Sequence, residues 1–169
     1  MTVSELTVQG WLCDFAEVSG NKLFITGAGI NLIGTPTTEA PHPVNLTLAM
    51  MVRIPWNATN RQHKLRVELI SDSSDGSKPV PINIAPPPIG EEEDAGKIVA
   101  AFNAGRSPNM VVGEETLMPL ALPLFGLPLP NIGSYFFEIG IDGTAMDRIS
   151  FRVSPVLNMQ AQVGPSLQG

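Results

Sequence analysis

Alternation with a period of two runs through most of this chain, and its clearest instance lies in the C-terminal third. Across Gly133–Asp142, Tyr135, Phe137, Ile139 and Ile141 fall on one side of an extended strand. Across Asp147–Val153, Ile149, Phe151 and Val153 alternate with Arg148, Ser150 and Arg152. Successive side chains of a strand point to opposite faces, so the pair reads as a β-hairpin with one apolar face laid on a core. A chain governed by that period folds into sheets, and nothing in it spells out a chemistry.

The same period recurs upstream. Leu6–Val18 alternates as one strand, with Gly10 a point of bulging or close approach. Ser19-Gly20-Asn21 turns it into a second strand over Lys22–Ile33. A proline-rich loop at Thr35–Pro43 precedes Val44–Pro55, which sets Leu46, Leu48, Met50, Val52 and Ile54 on one face. Asn45, Thr47, Ala49, Met51 and Arg53 take the other. Asn57–Gln62 suits a helical turn capped by the Asn57 side chain. His63–Ile70 then places Leu65, Val67 and Leu69 inside and Lys64, Arg66 and Glu68 outside. Asp75-Gly76 signals a tight turn before a short strand near Pro79–Ile84. Pro86–Pro88 and Glu91–Asp94 form a solvated excursion, followed by a strand over Lys97–Phe102.

Thr116–Phe125 carries the sharpest local inference. Pro119 and Pro123 lie four residues apart, so both missing N–H donors fall on the same side of the strand. The opposite side pairs normally, which makes this an edge strand guarded by proline. Gly126–Ile132 reads as a turn into the final hairpin. The expected fold is all-β: a single β-sandwich of about eight antiparallel strands with immunoglobulin-like or C2-like Greek-key wiring. It spans residues 1–155, with a flexible tail at 156–169 whose apolar residues could instead add to a sheet edge of another copy.

Composition narrows the function classes. At 169 residues the chain is one domain that buries roughly 70% of its unfolded surface without disulfide staples. A net charge of −6 argues against nucleic acid, which is held by clustered Lys and Arg. Cys13 is the lone cysteine and forms no internal disulfide. Met1–Gly10 has no basic segment followed by an apolar one, and no run approaches the roughly 18 apolar residues of a membrane span. The expectation is a cytoplasmic protein without a membrane span.

Three blocks carry a resemblance: WLCDFAEVSGNKLFITGAG (Trp11–Gly29), VRIPWNATNRQHKLRVEL (Val52–Leu69) and LPLPNIGSYFFEIGIDG (Leu127–Gly143). Together they resemble an uncharacterised bacterial family, common in actinobacteria, known only as a domain of unknown function. The resemblance runs from about Leu12 to Val153, with one departure, an Asn between Gly20 and Lys22. It implies a single all-β domain and no assigned activity. More loosely, the final hairpin looks like those closing immunoglobulin-like and C2-like sandwiches.

Candidate chemistry is sparse. A nucleophile needs a base beside it, and only His42 and His63 are available. A Cys13–His63 pair is one reading; a packed structural thiol is the plainer one. Asp14, Asp72, Asp75, Asp142 and Asp147 lie near strand ends, where calcium ligands and ordinary turn residues look alike. Trp56, in the Pro55–Asn57 step, could stack on a sugar or a partner, or cap the core. The run Glu91, Glu92, Glu93 and Asp94 is either a solvated loop or a docking site for a basic partner. With no convergent titratable cluster, the expectation is a non-enzymatic protein-interaction or structural module without cofactor or metal. It acts on an unknown protein partner or by self-association, through Trp56, Asn57 and Glu91–Asp94. The alternatives are a carbohydrate- or calcium-dependent binding module and a subunit of a self-assembling, phage-like particle.

Overall fold

A computed structural model describes residues 5–72, 78–85 and 92–156. In chain order the strands are β1 (Thr7–Cys13), β2 (Phe15–Ser19), β3 (Lys22–Thr26), β4 (Leu32–Thr35), β5 (His42–Pro55) and β6 (Gln62–Asp72). Then follow β7 (Val80–Ile82), β8 (Ile98–Asn103), β9 (Glu115–Leu129), β10 (Gly133–Ile141) and β11 (Thr144–Pro155). The fold is all-β as expected, but these eleven strands form three sheets, not a single sandwich of eight. One sheet has the order β1-β5-β9; a second runs β4-β11-β10-β6-β7, with β8 also paired to β6; β2 and β3 pair with each other.

The extra sheet comes from the N-terminal segment. The expected strand Leu6–Val18 breaks at Asp14, and β2 folds back over the outer face of β5 and β9. Cys13, Ala16 and Ala49 are buried there, with Leu23, Ile25 and Ala121 packed around them, and such small side chains let the hairpin approach closely. Both faces of central β5 are therefore covered. Leu46, Leu48 and Met50 join the main core, while Thr47 and Ala49, on the other face, are buried as well. The expected strand Lys22–Ile33 also divides: β3 ends at Thr26, and β4 pairs in parallel with the end of β11.

The turn chemistry follows the residues. Gly20 and Asn21 have φ of 55° and 59°, and Asp142 and Gly143 have φ of 52° and 81°. Left-handed backbone at both central positions gives the two-residue hairpin turn whose twist matches the strands it joins. Strand β9 pairs along its length with β5 and, among the described residues, with no other strand. The edge position read from Pro119 and Pro123 is what the sheet order has. Strand β9 runs on to Leu129, through the segment read as a turn, across a register shift near Val44 and Leu46. There the Gly126 N–H donates to Asn45 Oδ1 at 2.8 Å.

One core joins the two larger sheets, taking Leu48, Met50 and Val52 from the first and Val67, Phe137 and Phe151 from the second. Tyr135, at the start of β10, is fully buried, and its hydroxyl donates to the Asn131 carbonyl at 2.5 Å and accepts from the Asn131 N–H at 3.1 Å. The sheets meet along a seam between β1 and β11. A Cβ on Gly10 would stand 2.5 Å from Ile149 Cδ1, so the glycine is the close-approach point its place in the strand suggested. Asp147 clamps the seam: Oδ2 accepts from the Gly10 N–H and Oδ1 from the Arg148 N–H, each at 2.8 Å. One carboxylate thus occupies free amides on two strands that would otherwise offer pairing edges.

Candidate functional site

Three connections meet at one end of the two larger sheets: the β5–β6 turn, the β10–β11 turn and the loop between β8 and β9. Strand β5 ends at Pro55, and a single 3₁₀ turn follows over Trp56–Ala58. The expected Asn57 cap is not formed. Pro55 holds the cap position without a side-chain bond, and Asn57 lies inside the turn and exposed. Thr59 closes the turn instead, its hydroxyl donating to the Trp56 carbonyl at 2.8 Å.

His63 ties this end together. It shares the strand face of Leu65 and Val67, and its side chain is fully buried. Nε2 lies 2.8 Å from the Ala58 carbonyl and Nδ1 2.7 Å from Oδ2 of Asp142. The ring stacks on Phe102 with centroids 5.3 Å apart. The carbonyl and the ionised carboxylate are both acceptors, and each lies within hydrogen-bond distance of a ring nitrogen. The second oxygen of Asp142 accepts from the Lys64 N–H at 2.9 Å. Burial pushes the Asp142 carboxyl up, but the His63 bond, the Lys64 N–H and the charges of His63 and Arg61 outweigh it, holding the group below its ordinary 3.8.

A depressed carboxylate contributes stability above its unfolded pKa and loses it as pH falls through the folded value. Acid unfolding followed by circular dichroism should show stability falling off below about pH 4. Asp142→Asn should flatten that part of the curve. An acid limb unchanged in the variant would contradict the assignment.

Lys64 forms an ion pair with Asp94, the last residue of a second 3₁₀ turn at Glu92–Asp94. Asp94 is buried, not solvated as its charge run suggested, whereas Glu93 is exposed. Glu91 and the side chain of Glu92 lie outside the described residues. The contacts running Ala58–His63–Asp142–Lys64–Asp94 therefore join into one loop end what the sequence offered as two patches. Trp56 is half-buried there. The Arg106 guanidinium sits 3.7 Å from its ring centroid and donates to the Trp56 carbonyl at 2.9 Å and the Thr59 hydroxyl at 3.0 Å. One face of the indole is thus already covered.

A groove of about 580 Å³ opens between the start of β1, the β5–β6 turn and the β10–β11 turn. Leu6, Pro55, Ala58, Ile141 and Met146 give it apolar lining, and Glu5, Asn57, Arg61 and Asp142 give it polar groups. Beside the same turn, Lys64, Arg66, Glu93, Asp94 and Gly143 line a hollow of about 140 Å³. Arg61 carries no hydrogen bond or ion pair among the described residues.

The other candidates are not gathered. Cys13 lies under the β2–β3 hairpin, its thiol donating to the Thr47 carbonyl at 3.3 Å, so no Cys13–His63 pair is assembled. Burial, and then the Asp14 charge, push that thiol up against the opposing Phe15 amide. His42 is buried beside the Thr35 hydroxyl at 3.3 Å. Asp147 is spent on the seam, Asp72 pairs with Arg148, Asp14 is exposed, and Asp75 lies outside the described residues. Among the described residues no three His, Cys, Asp or Glu gather as a metal site, and no helix is long and apolar enough to cross a membrane.

Sequence reasoning missed the His63–Asp142 pair, although both signals were present. His63 has the parity of Leu65, which predicts an inward side chain, and Asp142-Gly143 is a hairpin-turn dipeptide. Arg106 had no such signal, because it sits in an aperiodic loop.

A family model described as a family of unknown function (DUF6941) matches residues 10–154. The chain belongs to that family. The DUF6941 match covers the stretch over which the three blocks resemble a domain of unknown function, and it brings no activity. None of the curated proteins matches the chain. Among solved structures, a β-glucosidase from Listeria innocua in complex with gluconolactone is similar at 13% identity and a TM-score of 0.43, over 90% of this chain. The chain spans 16% of that protein's length.

Proposed function

We propose that the chain is a non-enzymatic recognition module of immunoglobulin-like build, which binds a protein partner at the loop end around His63 and Asp142. The observation that carries this reading is the groove, where apolar lining converges with the charges of Arg61 and Asp142 at the end that holds Trp56 and Asn57. A concave site with apolar walls and a few polar groups is the usual form of a binding site. Two features support the immunoglobulin-like build. The strand order matches that of such sandwiches if β1, β5 and β9 stand for strands A, B and E, and β6, β10 and β11 for C, F and G. Tyr135, bonded back to Asn131 at the start of β10, has the form of a tyrosine corner. The loop end then corresponds to the end that antibody variable domains use for recognition, which is an analogy of fold. A cytoplasmic location belongs to the same reading, since Cys13 is a free, buried thiol.

Against catalysis, the Nε2 of His63 is committed to a carbonyl and its ring is closed to solvent. The test is affinity capture from the native lysate with the full chain and with Thr144→Arg or Asn57→Arg, exposed positions at the groove. The wild type should retain a stoichiometric partner that both variants lose. A partner held equally by all three, or none at all, would contradict the assignment.

A further inference from the structure

Every exposed phenylalanine of this chain lies on one flank, away from the main core. Phe15 and Phe24, 50% and 51% exposed, stand on the outer face of the β2–β3 hairpin, and Phe125, 67% exposed, stands on the edge strand β9 that the hairpin packs against. Leu117 on β9 is exposed as well. Large apolar side chains gathered in this way mark an interaction surface. The β2–β3 sheet also has no third strand among the described residues, so both its edges are open.

The charges on the hairpin indicate what covers it. Glu17 pairs across the strands with Phe24, and Lys22 with Ser19, so Glu17, Phe24 and Lys22 share the outer face with the two charges on a diagonal. Neither charge has an ion-pair partner among the described residues. In a molecule of net charge −6, the outer face of the hairpin carries one charge of each sign and is self-complementary. Two such faces can meet with opposite charges opposed.

We propose that the outer face of the β2–β3 hairpin is a two-fold interface between two copies of this chain, centred on Phe24. An axis lying in the interface midway between Glu17 and Lys22 sets Glu17 of each copy against Lys22 of the other. The same axis brings the two Phe24 rings together, since Phe24 lies close to it. The contact is isologous, as closed dimers require. It leaves the loop end around His63 free, so a dimer presents two recognition ends.

Sedimentation velocity of the full chain, over a dilution series from high to low micromolar, tests this. The expected result is a dimer that dissociates on dilution, with Phe24→Ser weakening it on the order of tenfold or more. Glu17→Lys and Lys22→Glu should each be monomeric alone and should form a heterodimer when mixed. The double charge swap should dimerise with itself again. Both positions are exposed, so unchanged melting temperatures separate a lost contact from a lost fold. A chain that stays monomeric at every concentration overturns the proposal, even if it captures another protein through Phe24. So does a dimer that Phe24→Ser and the single charge variants leave intact.

Discussion

Phe151→Ala should lower the stability of the fold by about 4 kcal/mol, near the upper end for removal of a buried aromatic. Phe151 faces Tyr135 directly across the β10–β11 pair and stacks on both Tyr135 and Phe137, at centroid distances of 5.6 and 5.8 Å. The substitution removes a ring from the middle of the core and both ring contacts with it. Such contacts add about 0.5–1.5 kcal/mol each beyond the area they bury. The neighbouring strands are held in register on both sides, so little collapse can fill the space. For a chain of this size the loss reads as a fall in melting temperature of about 10 °C or more. Arg148→Ala, which uncovers Phe136 at the surface, is the control and should change stability by about 0.5 kcal/mol. A Phe151→Ala loss no larger than that of Arg148→Ala would mean that the two sheets do not share this core.

His63→Ala should cost about 3 kcal/mol, for a different reason. The ring fills a buried position and satisfies two acceptors, the Ala58 carbonyl and Asp142. Removing it leaves a buried carbonyl unpaired and a carboxylate without its partner, together with a cavity against Phe102. His63→Phe separates these contributions, because it keeps volume and stacking but donates nothing. That variant should still lose about 2 kcal/mol, the desolvation penalty of the orphaned groups. Chemical denaturation measures both. If His63→Phe is as stable as the wild type, the hydrogen bonds do not hold the loop end.

The legible parts of this fold were those that a short stretch of residues decides. Pro119 and Pro123 specified an edge because a missing N–H acts on its own strand. The β10–β11 hairpin was readable because its pairing is local and one of its faces is wholly apolar. The break at Asp14 was hidden, since alternation continues through it and only the fit of Cys13, Ala16 and Ala49 against the hairpin shows where the chain folds back. The parallel pairing of β4 with β11 joins segments far apart in sequence, and no local pattern encodes it. At the candidate site, Trp56 and Asn57 were named from the Pro55–Asn57 turn signal, and the structure sets both beside the groove. Asp94 was named from its charge run, but its burial was hidden, as was the place of Arg106, because a distant ammonium and a distant ring position them. Asp94 was misread for that reason: a run of acids predicts solvent, and Lys64 overrides it.

The most direct measurement is hydrogen–deuterium exchange on the full chain, alone and in complex with the partner it captures. Slowed exchange confined to the Pro55–Arg61 turn and the Asp142–Met146 segment is the result that recognition at the groove predicts. Protection elsewhere, with those two segments exchanging as in the free chain, would contradict it.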